Sequence, residues 1–137
     1  MSDKPVQDGP GKDAGFFGRR KGKKLRGEQA ERIEGQLPRL KLDVTVPVDP
    51  AAVFPAATEC WLEIGFGGGE HLAHMAEAHP GVGIIGCEPF VNGVAKLLTE
   101  IETRQVTNVR IHDGNAADVL ARLPAGSISR IYLLYPD

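Results

Sequence analysis

The chain has 137 residues, 42% of them apolar and 25% charged, with a formal net charge of −2, which is one domain's worth of ordinary globular composition. No apolar run approaches the roughly 20 residues of a membrane span, and the first residues are polar and basic where a secretory signal would be apolar, so a membrane role is excluded and the cytoplasm is the expected compartment. The charge is uneven: residues 1–27 hold eight Lys/Arg against three Asp, and the remainder eight Lys/Arg against fifteen Asp/Glu, so a basic arm precedes an acidic body.

Residues 1–18 are rich in Gly, Asp, Lys and Pro, with too little apolar content to offset the entropy of ordering, which predicts disorder. Arg19, Arg20, Lys21, Lys23, Lys24 and Arg26 then give six cations in eight residues. Such a run releases counterions from a phosphate backbone, or it is simply a solvated tail. Phe16 and Phe17 beside it are suited to stacking on bases or to pinning the arm to the body.

Residues 28–58 read as an irregular lead-in, with a short helix at 28–35 and prolines at 38, 47, 50 and 55 that interrupt longer elements. From Glu59 the pattern becomes strand and helix in alternation. Strands are predicted at 60–64, 83–87, 108–112 and 129–135. Helices are predicted at 70–78, 92–104 with Asn92 as its N-cap, and 115–123 with Ala116, Leu120 and Leu123 on the buried face. The order β-α-β-α-β-α-β forces parallel pairing, so the fold class is α/β, a doubly wound, mostly parallel Rossmann-like sheet. Ligands in such sheets sit beyond the strand C-termini, where residues 65–69, Glu88, residues 113–115 and residues 135–137 fall.

The first of these stretches carries the strongest signal. Gly65, Gly67, Gly68 and Gly69 follow the apolar Leu62-Glu63-Ile64 and precede a helix, so backbone turns sharply and approaches another molecule. A dinucleotide fingerprint needs a third glycine at position 70, which is Glu, so that cofactor class is excluded. Glu63-Ile64-Gly65-Phe66-Gly67-Gly68-Gly69 instead resembles the first motif of Rossmann-like methyltransferases, which implies S-adenosylmethionine. Carboxylates suit its cationic groups and hydroxyls: Glu63 near the methionine end and Glu88, about 20 residues on, at the ribose. Glu63 also reads as a buried acid satisfied by backbone N–H groups. Asn115 is a candidate for the adenine amino group, with a helix N-cap as the equal alternative.

Several side-chain groups carry no chemistry. His71 and His74 form an H-x-x-H, but no third ligand has a fitting spacing, so no metal is expected. His79 and His112 belong to no motif. Cys60 and Cys87 read as buried small hydrophobes, and Ser127 and Ser129 lack a nucleophile elbow.

Taken together, Phe17-Gly18-Arg19-Arg20-Lys21-Gly22-Lys23-Lys24-Leu25-Arg26, the glycine loop, Ile85-Gly86-Cys87-Glu88 and Leu134-Tyr135-Pro136-Asp137 resemble the bacterial tRNA (guanine-N7)-methyltransferases. The resemblance implies an S-adenosylmethionine-dependent enzyme that methylates N7 of a guanine in the tRNA variable loop, with tRNA met by the basic arm. Carried over by position, Glu63, Gly65, Gly67, Gly69, Glu88, Asn115 and Asp137 would line the cofactor, and Asp137 would be the active-site acid. The family commonly has Asp where this chain has Asn115, whose carbonyl still accepts a hydrogen bond. The family's chain also continues past Asp137, so residues 59–137 read as the cofactor half of the domain, with its C-terminal strands missing and no turnover expected from that half alone. Alternative readings are a methyltransferase for another substrate and a non-catalytic nucleotide-binding module.

Overall fold

Four short apolar runs become the strands β1 (Glu59–Ile64), β2 (Val82–Cys87), β3 (Val109–His112) and β4 (Arg130–Leu133). The structure is a computed structural model and describes residues 27–134. All three pairings are parallel and the strand order is β3-β2-β1-β4. β2 is buried along its whole length, as a strand covered on both faces must be.

Alternation along the strands divides the core into two layers. On one face Trp61, Ile84, Val109 and Ile111 pack with helices α1 (Gly27–Leu40), α3 (Glu70–Ala78) and α4 (Val91–Arg104). On the other, Cys60, Leu62, Ile85 and Cys87 pack with the short helix α5 (Ala116–Leu120) and with Leu42, Val48 and Phe54. Phe54 directly follows the one-turn helix α2 (Pro50–Val53), whose N-terminus is capped by the Asp49 side chain. The sheet is thus covered on both sides, as its strand–helix alternation predicts.

Several elements differ from the sequence reading: β4 ends at Leu133 instead of residue 135, and the one-turn helix α2 lies within the lead-in read as irregular. α1 runs 14 residues, through Pro38 to Leu40, instead of ending near residue 35. Pro38 lies in the last turn, where few further bonds depend on it, and Ile33 and Leu37 bury against the α3/α4 layer, so packing outweighs the proline's cost. An ion pair from Arg32 to Glu102 adds a link between α1 and α4.

α4 begins one residue early, so its N-cap is Phe90, and Asn92 lies inside the first turn. α5 stops at Leu120 instead of residue 123. Its end tightens through Arg122 N–H donating to Val119 O, ahead of Pro124, a residue that biases its predecessor away from helix. Ala116 and Val119 are its buried residues and Leu120 is exposed.

Two side chains fasten the frame at the end of the sheet opposite the strand C-termini. Asn108 donates from Nδ2 to the carbonyls of Ala76, His79 and Val82, closing the α3–β2 turn. Arg104 joins Glu77 of α3 and Glu100 of α4 at 2.7 and 3.0 Å. Among the described residues no helix is long and apolar enough to cross a membrane.

Candidate functional site

The connections run outward from β1 to β2 and β3, and the chain then crosses back to β4 on the other side of β1. The strand order therefore reverses at β1, the position where ligands collect in open parallel sheets. The glycine loop leaves the C-terminal end of β1 at this point. Gly65, Gly67 and Gly69 all have positive φ, 71°, 60° and 82°, a region that side-chain-bearing residues enter at a cost. Phe66, between them, is buried and packs on Gly86 of β2, so it pins the loop to the core.

The loop's outer edge is fixed by two further groups. Gly67 N–H donates to Glu88 Oε1 at 2.8 Å, and Phe90 N–H donates to Glu88 Oε2 at 3.2 Å. Each carboxylate oxygen thus has one backbone donor, and a lone-pair direction remains on each for a hydroxyl. Gly93 lies so close that a Cβ there would stand 2.2 Å from Gly67 O. The requirement for glycine at 93 was not anticipated, because in sequence it is an isolated glycine inside a helical pattern.

A cavity of about 370 Å³ opens beside this loop, lined by Gly65, Glu88, Phe90, Gly114 and Asn115 among others. That volume lies in the range of small-molecule sites, about 300–1,000 Å³. Two carboxylate and amide side chains and the loop backbone thus converge on one apolar-walled space. Asn115 is the N-cap of α5: its Oδ1 accepts from Ala117 N–H at 2.8 Å.

The turn carrying Asn115 is held from beneath by His112. This residue is buried, with Nε2 2.8 Å from Asp118 Oδ2 and Nδ1 lacking a partner. Lys41 reaches Asp113 of the same turn at 3.3 Å, tying the lead-in to the site.

Glu63, at the loop's inner edge, is 1% exposed. Its Oε1 lies 2.7 Å from His71 Nδ1, while Oε2 is buried with no hydrogen-bond partner. Backbone N–H groups therefore do not satisfy it, contrary to one of the two sequence readings. Burial pushes the Glu63 carboxyl above its ordinary pKa, with the His71 hydrogen bond and charge acting in the opposite direction. His71 lines a second cavity of about 480 Å³ with Gly68, Gly69, Lys96 and Glu100, and its ring lies 5.0 Å edge-on from that of Tyr132. The H-x-x-H reading missed this role. The available signal was an acid at a strand end eight residues ahead of a histidine in the first turn of the next helix.

Among the described residues no group of three His, Cys, Asp or Glu side chains could hold a metal ion. Burial raises the Cys60 and Cys87 thiols to about 11 and about 12, which leaves them unreactive at neutral pH. The basic arm at residues 19–26 and Asp137 lie outside the described residues.

The chain is 54% identical over 125 residues to the tRNA (guanine-N(7)-)-methyltransferase of Rhodopseudomonas palustris (strain BisA53), an alignment covering 89% of this chain and 50% of that protein. It is 55% identical to the protein of the same name from Rhizobium meliloti (strain 1021), covering 89% and 54%. With that of Bradyrhizobium diazoefficiens the identity is 54%, with 89% and 53% covered. The chain spans about half the length of the curated relatives it matches. A family model described as "Putative methyltransferase" matches residues 57–137, the span that contains β1, the glycine loop, Glu88 and Asn115. The chain belongs to that methyltransferase family.

Proposed function

We propose that this chain supplies the cofactor-binding part of an S-adenosylmethionine-dependent tRNA (guanine-N7)-methyltransferase that works in the cytoplasm and modifies a guanine of the variable loop. The observation that carries the reading is the glycine loop with Glu63 and Glu88 at the ends of neighbouring strands, in a chain more than half identical to curated proteins of that name.

The residues present fit S-adenosylmethionine. A buried carboxylate oxygen without a donor, Glu63 Oε2, suits a cationic group such as the ammonium of the cofactor's amino-acid end. Glu88 retains acceptor capacity on both oxygens for vicinal ribose hydroxyls. Asn115 Oδ1 keeps a second lone pair for the adenine amino group beside its capping bond. Gly65, Gly67 and Gly69 let the backbone pass under the ligand without a side chain in the way.

When bound, the cofactor supplies an electrophilic methyl group on a sulfonium sulfur. Guanine N7 already carries an in-plane lone pair, so no proton has to leave before attack, and a strong general base is unnecessary. The protein's contribution is alignment of N7 with the methyl carbon and sulfur, and exclusion of water. By the family resemblance alone, Asp137 is assigned the donor edge of guanine, and Arg19, Arg20, Lys21, Lys23, Lys24 and Arg26 are assigned the tRNA backbone.

The test is methyl transfer by the complete protein to unmodified tRNA, read as 7-methylguanosine by mass spectrometry. Asp137→Ala is expected to lower turnover by about 10²–10³-fold, the scale of losing one positioned polar group in an active site. Unchanged turnover would remove Asp137 from the mechanism, and absence of any 7-methylguanosine would refute the tRNA reading.

A further inference from the structure

Glu63 and His71 form a closed pair next to the cofactor loop. His71 is bracketed by the first turn of α3, by Glu63 of β1 and by the ring of Tyr132 on β4, whose hydroxyl accepts from Arg130 at 3.2 Å. Glu63 and Tyr132 are direct cross-strand partners, so the three side chains share one face of the sheet. The other charged neighbours are Glu70 and His74 on α3 itself and Lys96 and Glu100, which line the same cavity from α4.

The pair's geometry is lopsided. Oε1 is bonded to the imidazole, and Oε2 is buried without a donor. An ionised carboxylate in that state is strongly disfavoured, so the ligand-free pair holds an extra proton. His71 is partly exposed, which gives the proton a path to solvent.

We propose that His71 is a positioning residue for the amino-acid end of the cofactor: it fixes Oε1 of Glu63, reserves Oε2 for a cationic donor, and the pair releases one proton when that donor arrives. The inference rests on the S-adenosylmethionine reading above. The balance is simple: the protonated pair plus a ligand ammonium gives an ionised Glu63 bonded to His71 Nδ1–H and to the ammonium, plus one proton in solvent. The ammonium thus replaces the proton that kept the buried carboxyl neutral.

Isothermal titration calorimetry of the complete protein, in buffers of different ionisation enthalpy between about pH 6 and 8, tests this against two ligands. S-adenosylhomocysteine carries the ammonium, and methylthioadenosine keeps the adenosine but lacks the amino-acid end. Release of up to one proton is expected with the first and none with the second, and Glu63→Gln should abolish the release. His71→Leu should weaken S-adenosylhomocysteine about tenfold, the scale of one charge-assisted contact, and leave methylthioadenosine unchanged. His71→Asn, which returns an N–H donor near the Nδ1 position, should restore most of the lost affinity.

Equal weakening of both ligands by His71→Leu would mark a purely structural residue and overturn the proposal. So would binding of S-adenosylhomocysteine with no proton release, or an unchanged affinity in His71→Leu. If the unaltered complete protein bound neither ligand, the cofactor reading itself would fall, an outcome distinct from the other three.

Discussion

At the scale of single residues, the site is built from two acids whose partners lie eight and 21 residues away in sequence. Glu63 and Glu88 were legible because a strand-end acid beside a glycine loop is a motif with a physical purpose. Their partners were not: His71 and Gly67 meet them only once the helix and loop have folded back over the sheet. Glu63 also ties stability to pH. Its carboxyl titrates higher in the fold than the ordinary 4.5 because burial disfavours its charge. Between those two values the native state binds more protons than the unfolded chain, so the contribution is full below the ordinary value and is lost as pH rises through the raised one. In thermal melts of the ligand-free protein from about pH 4 to 8, wild-type Tm is therefore expected to decline relative to that of Glu63→Gln. Parallel profiles for the two proteins would show that Glu63 ionises without penalty.

Among the elements, the cofactor loop is held between β2 and α4 as tightly as it is held by its own glycines. Gly93→Ala tests the α4 side. Its methyl group would meet Gly67 O, a backbone atom that no rotamer change can move. The expected cost is about 2–4 kcal/mol in denaturant titration, with loss of S-adenosylhomocysteine binding. A stable variant with normal binding would mean that α4 and the loop can separate freely. α1 makes a parallel point about the lead-in. Periodicity and Pro38 indicated only a short helix, because proline is read as a stop whatever its place in the final turn. The decisive facts were tertiary: Ile33 and Leu37 reach the same core as α3 and α4. Leu37→Ala is expected to cost about 2–4 kcal/mol, measured by urea unfolding; a loss below about 0.5 kcal/mol, typical of surface sites, would place α1 outside the cooperative unit.

For the whole molecule, parallel pairing and helices on both faces followed from alternation alone, whereas the order β3-β2-β1-β4 came only with the structure. β1, β2 and β3 were legible to within one residue at each end, where apolar runs were short and bounded; β4, expected to run to residue 135, ends at Leu133. What pattern reading lacked was the coverage of the second sheet face by Leu42, Val48 and Phe54, residues scattered among prolines with no regular period. Charge is the other whole-molecule property. Residues 28–137 carry eight Lys/Arg against fifteen Asp/Glu, a net negative body that disfavours nucleic acid, so under the proposed function the arm is expected to carry the affinity for tRNA. Removing residues 1–26 is expected to weaken tRNA binding and to flatten the dependence of log K on log salt by up to about five units, for six phosphate contacts. An unchanged slope would assign the arm to another purpose.

The bond from Gly67 N–H to Glu88 Oε1 crosses from one strand end to the next, and it has a kinetic corollary. Loop amides ordinarily exchange with deuterium through small local openings. This amide can open only if the β1–β2 junction loosens or the Glu88 side chain lets go. Its protection factor should therefore approach those of Leu62 and Ile85 in the strands and far exceed that of Gly126 in the turn before β4. That result would place the glycine loop in the slowest-exchanging unit of the protein, ready for a ligand before one arrives; exchange as fast as that of Gly126 would show that the loop opens on its own.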